Sequence, residues 1–467
     1  MIFHSFDFLL FFAATFLLYW ASPFRVQNIL LLAASYLFYG WIHPSLLITF
    51  FAVTVLSFWS GRWIENTEEP VLRKRGLLIL SATLFTPLAV YKYGNFFLGN
   101  LSRALELVGY QSPLRTLELF LPIGISFYTF QAVSYLVDIY RRELTATRSL
   151  VQFALYLSFF PQLVAGPIER AKNLLDQLAV PRSLTGSAAT SGLLLVCWGY
   201  LKKVVIADNI APVVNRIFAN GEPSFPLLWV AVFGFSIQIY ADFSAYSDIA
   251  RGVSRLLGID LMINFNHPYL SRSPAEFWRR WHISLSTWFR DYVFIPLGGS
   301  RSSVSTTARN LLITFTLSGL WHGASWNYIF WGVYHGLLVT VEMVWRRLGL
   351  RVWLPEIGKG LCTYLLILIG WLLFRETNLT MLLRGLTLSP LDASGRDWHI
   401  ATVLGAQFAV FATPLMLHPF IERGWEKLVN RIPAIEEVGR SVATAALILG
   451  ILALHTQNST DFIYFQF

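Results

Sequence analysis

The sequence predicts an all-α, polytopic integral membrane protein, and two observations carry that prediction. Of the 467 residues, 55% are hydrophobic and only 13% charged, with a mean hydropathy of +0.54, whereas a soluble domain carries about 25% charged residues. The apolar residues also come in long continuous runs separated by short polar pieces. Helices can hold such runs in hydrocarbon because they satisfy their own backbone groups. A transmembrane barrel would show alternating segments of about ten residues instead. A soluble enzyme and a structural filament are therefore poor readings.

Apolar runs fall at roughly 6–21, 27–42, 46–61, 76–98, 119–139, 150–165, 190–215, 227–246, 308–321, 326–345, 359–374, 400–418 and 441–457. Several are shorter than the ~20 residues of a typical crossing, so some must tilt, re-enter or merge; about eleven transmembrane helices are expected. The first twenty residues, MIFHSFDFLLFFAATFLLYW, lack a basic leader and a cleavage site and read as a first membrane helix rather than a removed signal. There is no internal repeat, and the hydrophilic connectors near 62–75, 166–189 and 422–440 are too short to fold alone. Residues 1–467 are therefore expected to form a single membrane-embedded domain.

The net charge of +9 fits cytoplasmic loops facing anionic lipid, and no zinc-finger spacing or aromatic-basic platform points to nucleic acid. Basic residues gather in Arg62–Arg75, Arg141–Arg148, Arg346–Lys359 and Arg423–Arg440; placing these in the cytoplasm puts both termini outside. Cys197 and Cys362 lie in apolar runs and read as buried hydrophobes rather than a disulfide. Leu121-Pro122-Ile123-Gly124, Phe160-Pro161-Gln162 and Gly166-Pro167-Ile168-Glu169-Arg170 are places where helices should break. Together they suggest amphipathic and re-entrant helices around a central cavity.

The chemistry-bearing stretch runs from Ser273 to Gly336 and holds His282, His322 and His335 among tryptophans. Ser273-Pro274-Ala275-Glu276 is a helix start, with Ser273 as cap, Pro274 at the first position and Glu276 reaching back. From there Trp278, Trp281, His282, Leu285, Trp288, Phe289 and Tyr292 recur at helical spacing, with Arg279, Arg280 and Arg290 largely elsewhere. That pattern suits one amphipathic helix in the interface plane. Its His282 is either a packing residue or a functional one. Ile295-Pro296-Leu297-Gly298-Gly299-Ser300-Arg301 reads as a cytoplasmic turn more readily than as a phosphate loop.

In Gly319-Leu320-Trp321-His322-Gly323-Ala324-Ser325-Trp326-Asn327, the glycines at 319 and 323 permit a close neighbour. A neutral imidazole at His322 is either a hydrogen-bonded helix residue or a proton-transfer base, and intramembrane ionisable groups are functional by default. Asp242 and Asp248 fall inside or at the end of an apolar run. Asp242 needs a cationic or donor partner there, as orienting acid or as structural lock.

With these residues in view, the chain resembles the membrane-bound O-acyltransferase superfamily, most of all its bacterial alginate O-acetyltransferase-like branch. The likeness is carried by Pro161–Arg170, Tyr240–Asp248, Asn264–Tyr269, Phe277–Gly299, Leu320–Asn327 and the terminal Asp461-Phe462-Ile463-Tyr464-Phe465. It implies a multi-helix fold with a funnel toward a thin partition, with His322 in the Trp-His-Gly match and His282 in the Arg-Trp-His match as catalytic residues. His322 would serve as base for an acceptor hydroxyl attacking a thioester, with His282 assisting. Asn327 or backbone amides near Gly323 are candidates for oxyanion donors, and Arg279, Arg280, Arg290 and Arg301 for contacts to donor phosphates.

The implied donor is cytoplasmic acetyl-CoA, used as a substrate, with no bound cofactor and no metal. The acetyl group would cross the inner membrane for O-acetylation of a secreted exopolysaccharide such as alginate or cellulose. A periplasmic acetyltransferase partner and a polysaccharide synthase complex are the expected associates, besides membrane lipid. The alternatives are D-alanyl or other acyl transfer from a carrier protein, a proton-coupled transporter, or a polysaccharide-export scaffold.

Overall fold

The computed structural model describes the chain except residues 2, 42, 111–113, 115, 118, 120, 164–165, 351–352, 457–461 and 464–467. Asp461, Tyr464 and Phe465 of the terminal motif lie outside the described residues. Among the described residues every regular element is helical and there is no strand. Among the described residues, seven helices are long and apolar enough to cross a membrane. The chain is a multi-pass membrane protein, and its contacts group into two compact units.

The first unit spans Met1–Leu184 and Leu256–Met262. It holds α1 (Phe6–Ala21), α2 (Phe24–Gly40), α3 (Leu46–Asn66), α4 (Pro70–Leu88), α5 (Gly94–Leu107), α6 (Ile125–Tyr140), α7 (Leu150–Ser158), α8 (Phe160–Leu163) and α9 (Ala171–Ala179). The break expected at Pro122–Gly124 is present: α6 begins at Ile125 after Gly124, whose φ is +76°. A Cβ at Gly124 would sit 2.5 Å from the Leu163 carbonyl oxygen, so this turn requires glycine on two counts. The break expected at Pro167 is also present, because α9 starts only after Arg170. There the buried Glu169 accepts hydrogen bonds from the Met262 backbone N–H and, at 2.7 Å, from Asn173 Nδ2. Desolvation raises its pKa, and those two bonds work against the rise.

The second unit, Thr185–Arg255 and Ile263–Phe467, holds every candidate site residue named above. Its helices are α10 (Gly186–Tyr200), α11 (Asp208–Ala219), α12 (Phe225–Leu256, whose last residue belongs to the first unit), α13 (Pro274–Arg280), α14 (Ile283–Phe289), α15 (Val304–His322), α16 (Trp326–Arg347), α17 (Glu356–Arg375), α18 (Leu379–Thr387), α19 (Gly395–Arg431) and α20 (Glu436–Leu454). A π-helical segment, Leu201–Ala207, joins α10 to α11, and another, Arg290–Phe294, follows α14. Such widened turns recur at functional places.

Helices α15 and α16 form a hairpin that packs backbone against backbone. A Cβ at Gly319 would lie 2.1 Å from the Tyr328 carbonyl oxygen, and one at Gly332 would lie 2.4 Å from that of Phe315. The small face read from Gly319 and Gly323 thus exists, but its partner glycine is Gly332 on the facing helix. Close approach of this kind replaces the hydrophobic drive that lipid cannot supply between helices. Gly332→Val is expected to lower stability by about 1–3 kcal/mol, the usual cost of overpacking. Thermal unfolding in detergent measures it, with Gly99→Ala, whose Cβ would meet nothing within 4 Å, as the neutral control.

Candidate active site

Helix α13 starts as its sequence dictates. Ser273 Oγ accepts from the Glu276 N–H at 3.2 Å, with Pro274 at the first position. Glu276 reaches back one residue further than a capping box would, accepting the Arg272 N–H at 2.9 Å and pairing with Arg280 at 2.7 Å. Partial burial alone would raise the Glu276 pKa, but the Arg272 amide and the Arg280 guanidinium outweigh it and hold the group below its ordinary value.

The single amphipathic helix expected over 274–292 is not what forms. The chain turns at Trp281 and His282, where His282 has φ +43°, a left-handed conformation rare outside glycine. The cause lies upstream. Asn264 Oδ1 accepts from the Ser284 N–H at 3.2 Å and from Ser284 Oγ at 2.9 Å, and lies 3.1 Å from His282 Nδ1. The backbone adds Ile283 N–H to Asn264 O and Asn266 N–H to Arg280 O, both 2.9 Å. These bonds pay for the strained residue and fix its ring.

This arrangement assigns the tautomer of His282. Asn264 Nδ2 donates to Ser247 Oγ at 3.2 Å, so Oδ1 is the atom facing the imidazole and Nδ1 must carry the hydrogen. The lone pair then sits on Nε2. The side chain is fully buried and lies outside the candidate spans; desolvation lowers its pKa and keeps it neutral.

His322 is the last residue of α15, followed by extended Gly323. Its ring is buried against Trp331 at 4.9 Å, Trp321 at 5.0 Å and Phe374 at 5.2 Å, all edge-on. The Trp321 indole lies 6.0 Å from the His282 ring, so a single aromatic side chain bridges the two histidines. His335 continues the array, 4.9 Å from Trp331 and 5.0 Å from Trp278. It presses on Gly370, where a Cβ would come within 2.4 Å of its Nε2.

Beside these rings is a cavity of about 490 Å³ between α13–α14 and α15–α16. Arg279, Arg290, Ser286 and Thr287 line one side, and Leu311, Thr314, Phe315 and Ser318 of α15 the other. Those α15 positions recur at three- and four-residue spacing, and the next in the series is His322, one turn past Ser318. His322 and His282 are not themselves part of the lining. Trp278 is, and it touches Trp331 at 5.4 Å.

The other expected site residues divide. Arg279 and Arg290 face the cavity, whereas Arg280 is turned to Glu276 and Arg301 is exposed outside the lining. Asn327 Nδ2 donates to the Leu373 and Phe374 carbonyls at 3.3 and 3.2 Å. In this structure the Asn327 amide is thus turned to the backbone of α17, at Phe374, whose ring packs on His322. Glycine at 323 is required because a Cβ would come within 2.2 Å of the Tyr328 ring. Asp242 is a lock, pairing with Lys203 at 3.0 Å and accepting the Ile463 N–H at 2.6 Å.

Sequence reasoning missed three contributors. Lys203 joins Asp242 to Asp208, which it meets at 2.9 Å, and all three side chains are buried. Lys202, next to it, pairs with Asp248 at 2.7 Å and contacts Ser244 at 2.8 Å. The signal was available, since two lysines and Asp208 interrupt the apolar run at 190–215. Asn264 enters the sequence reading only within the Asn264–Tyr269 stretch that carries the family likeness.

The geometry describes an all-helical, multi-pass membrane protein with two buried, ring-packed histidines beside a polar-edged cavity. The family model for MBOAT, the membrane-bound O-acyltransferase family, matches residues 29–383, and the chain belongs to that family and is a membrane-bound O-acyltransferase. It is 37% identical to a probable alginate O-acetylase of Azotobacter vinelandii over the whole of both chains. A peptidoglycan O-acetyltransferase of Helicobacter pylori is 33% identical over 76% of this chain and 72% of its own. A teichoic acid D-alanyltransferase of Bacillus subtilis is 32% identical over 50% of this chain and 62% of its own.

Lys203→Met would leave Asp208 and Asp242 buried without their shared cation, at an expected cost of about 3–5 kcal/mol. Thermal unfolding of Lys203→Met beside the Lys203→Met/Asp208→Asn/Asp242→Asn variant checks this. The triple variant should regain most of the loss; equal losses in both would mean that the charge pairing is not what Lys203 supplies.

Proposed function

We propose that this protein uses cytoplasmic acetyl-CoA to O-acetylate a secreted polysaccharide, carrying the acetyl group across the inner membrane to a periplasmic partner or acceptor. One observation carries the reading: the face of α15 that lines the cavity runs in register onto His322. A pantetheine arm lying along Leu311, Thr314, Phe315 and Ser318 would point its thioester at that imidazole, with Arg279 and Arg290 placed for the donor's phosphates. The full-length likeness to an alginate O-acetylase favours acetyl over D-alanyl transfer, since the D-alanyltransferase likeness covers half the chain.

In this reading His322 takes the proton of the acceptor hydroxyl as its oxygen attacks the thioester carbonyl carbon. The new C–O ester bond forms, the C–S bond breaks, and the imidazolium returns its proton to the CoA thiolate. The carbonyl end of α15 faces the imidazolium while it exists. His282, held as the Nδ1–H tautomer, positions Trp321 and through it the face of His322. Asn327, on α16, does the same by holding Phe374 of α17.

His322→Ala is expected to reduce acetyl transfer by about 10²–10⁴-fold, read as acetyl content of each secreted polysaccharide at equal expression. Unchanged acetylation throughout would overturn the assignment. Arg279→Gln and Arg290→Gln should each raise KM for acetyl-CoA by about tenfold with little change in kcat. A fall in kcat at unchanged KM would move these residues away from donor binding.

A further inference from the structure

Away from the His282–His322 centre, His267, His418 and Glu422 converge. One ligand atom from each lies within 4.8 Å of the other two. His267 Nε2 already contacts Glu422 Oε2 at 2.8 Å, and the His267 and His418 rings are 5.5 Å apart. We propose that these three side chains bind a zinc-class divalent cation that clips α19 to the Asn264–Tyr269 loop.

The local structure suits that task. His418 and Glu422 are four apart on α19, so they share one face, the spacing by which helices present paired metal ligands. His418 stacks on the Trp198 indole at 4.6 Å with 12° between planes, which fixes its ring as an outer partner of a ligand should. The His267 backbone is held in the left-handed region, φ +44°, ahead of Pro268, which fixes where its side chain leaves the turn.

Tetrahedral zinc with bonds of about 2.0–2.2 Å sets its ligand atoms about 3.3–3.5 Å apart. The 2.8 Å His267–Glu422 pair must therefore open slightly while the wider distances, up to 4.8 Å, close, and the Glu422 side chain, 48% exposed, has room to swing. Water supplies the fourth ligand.

The donor set selects the metal. Two imidazoles and one carboxylate favour zinc over calcium or magnesium, which require several oxygen ligands. The surrounding charge permits it: Lys202, the cation that acts on His418, is paired with Asp248 at 2.7 Å. The consequence reaches the reaction centre through the chain. His267 lies three residues beyond Asn264, the residue that holds His282. A metal here pins the loop that fixes that ring and takes no part in the chemistry. The metal site itself does not depend on the acyl-transfer reading.

The test uses the full-length protein in detergent, purified without a polyhistidine tag and stripped with chelator. Zn²⁺ is titrated against a chromophoric competitor, and Co²⁺ replaces it for absorption spectroscopy. The expected result is saturable, stoichiometric binding, a tetrahedral Co²⁺ spectrum and a raised unfolding temperature. In His418→Gln and Glu422→Gln the affinity should fall by at least about tenfold, with unchanged elution volume showing that the variants fold. Absence of stoichiometric binding, or binding undiminished in both variants, would overturn the proposal. Metal binding without any effect on acetyl transfer would leave the site intact and remove only its link to His282.

Discussion

The carboxamide of Asn264 is the interaction on which the candidate site depends. Its oxygen gathers the Ser284 amide, the Ser284 hydroxyl and the His282 ring. Its nitrogen is tied to Ser247 on α12. One side chain thereby breaks an otherwise regular amphipathic helix, holds a non-glycine residue at positive φ and sets which imidazole nitrogen bears the proton. In an apolar setting a misoriented or half-satisfied imidazole costs a large share of a hydrogen bond's gross energy. The site tolerates His282 because this network meets its needs on one edge, while Phe243 at 4.8 Å and Trp321 at 6.0 Å cover other parts of the ring.

The same constraint explains the charged residues of the second unit. Lys203 sits between Asp208 and Asp242, and Lys202 beside Asp248, all on or next to the π-helical segment and α12. A widened turn sends consecutive lysines toward different acids, where a regular helix would hold them about 100° apart in a fixed relation. Ion pairs buried in this way add little net stability but penalise any packing that separates them. They therefore specify one arrangement of α10, α11 and α12, and through the Ile463 amide on Asp242 they also fix the end of the described chain.

Much of this was legible in the sequence and some was not. Continuous apolar runs identified a helical membrane protein, and the proline-glycine breaks fall outside the helices, 122–124 just before α6 and 166–167 between α8 and α9. Local rules sufficed because each signal acts within a few residues. The kink at His282 was invisible to periodicity, because the residue that makes it lies eighteen positions upstream and the 276–292 pattern is regular in itself. The contacts of Asn327 are hidden for a related reason: they are carbonyls of α17, 46 and 47 residues away. Glycine at 319 was read correctly as permitting a close neighbour, but only the fold supplies Gly332 as that neighbour. The convergence of His267 with His418 and Glu422 likewise joins residues about 150 positions apart.

The central claim is that the α15 face bordering the cavity guides a thioester to His322. A cryo-electron-microscopy structure of the full-length protein with a non-reactive acetyl-CoA analogue tests it most directly. The expected density has the pantetheine arm beside Leu311, Thr314 and Ser318 and the acyl carbonyl within contact of the His322 ring. Density for the analogue elsewhere, with the Trp321, Trp331 and Phe374 rings still closed over His322, would contradict the account.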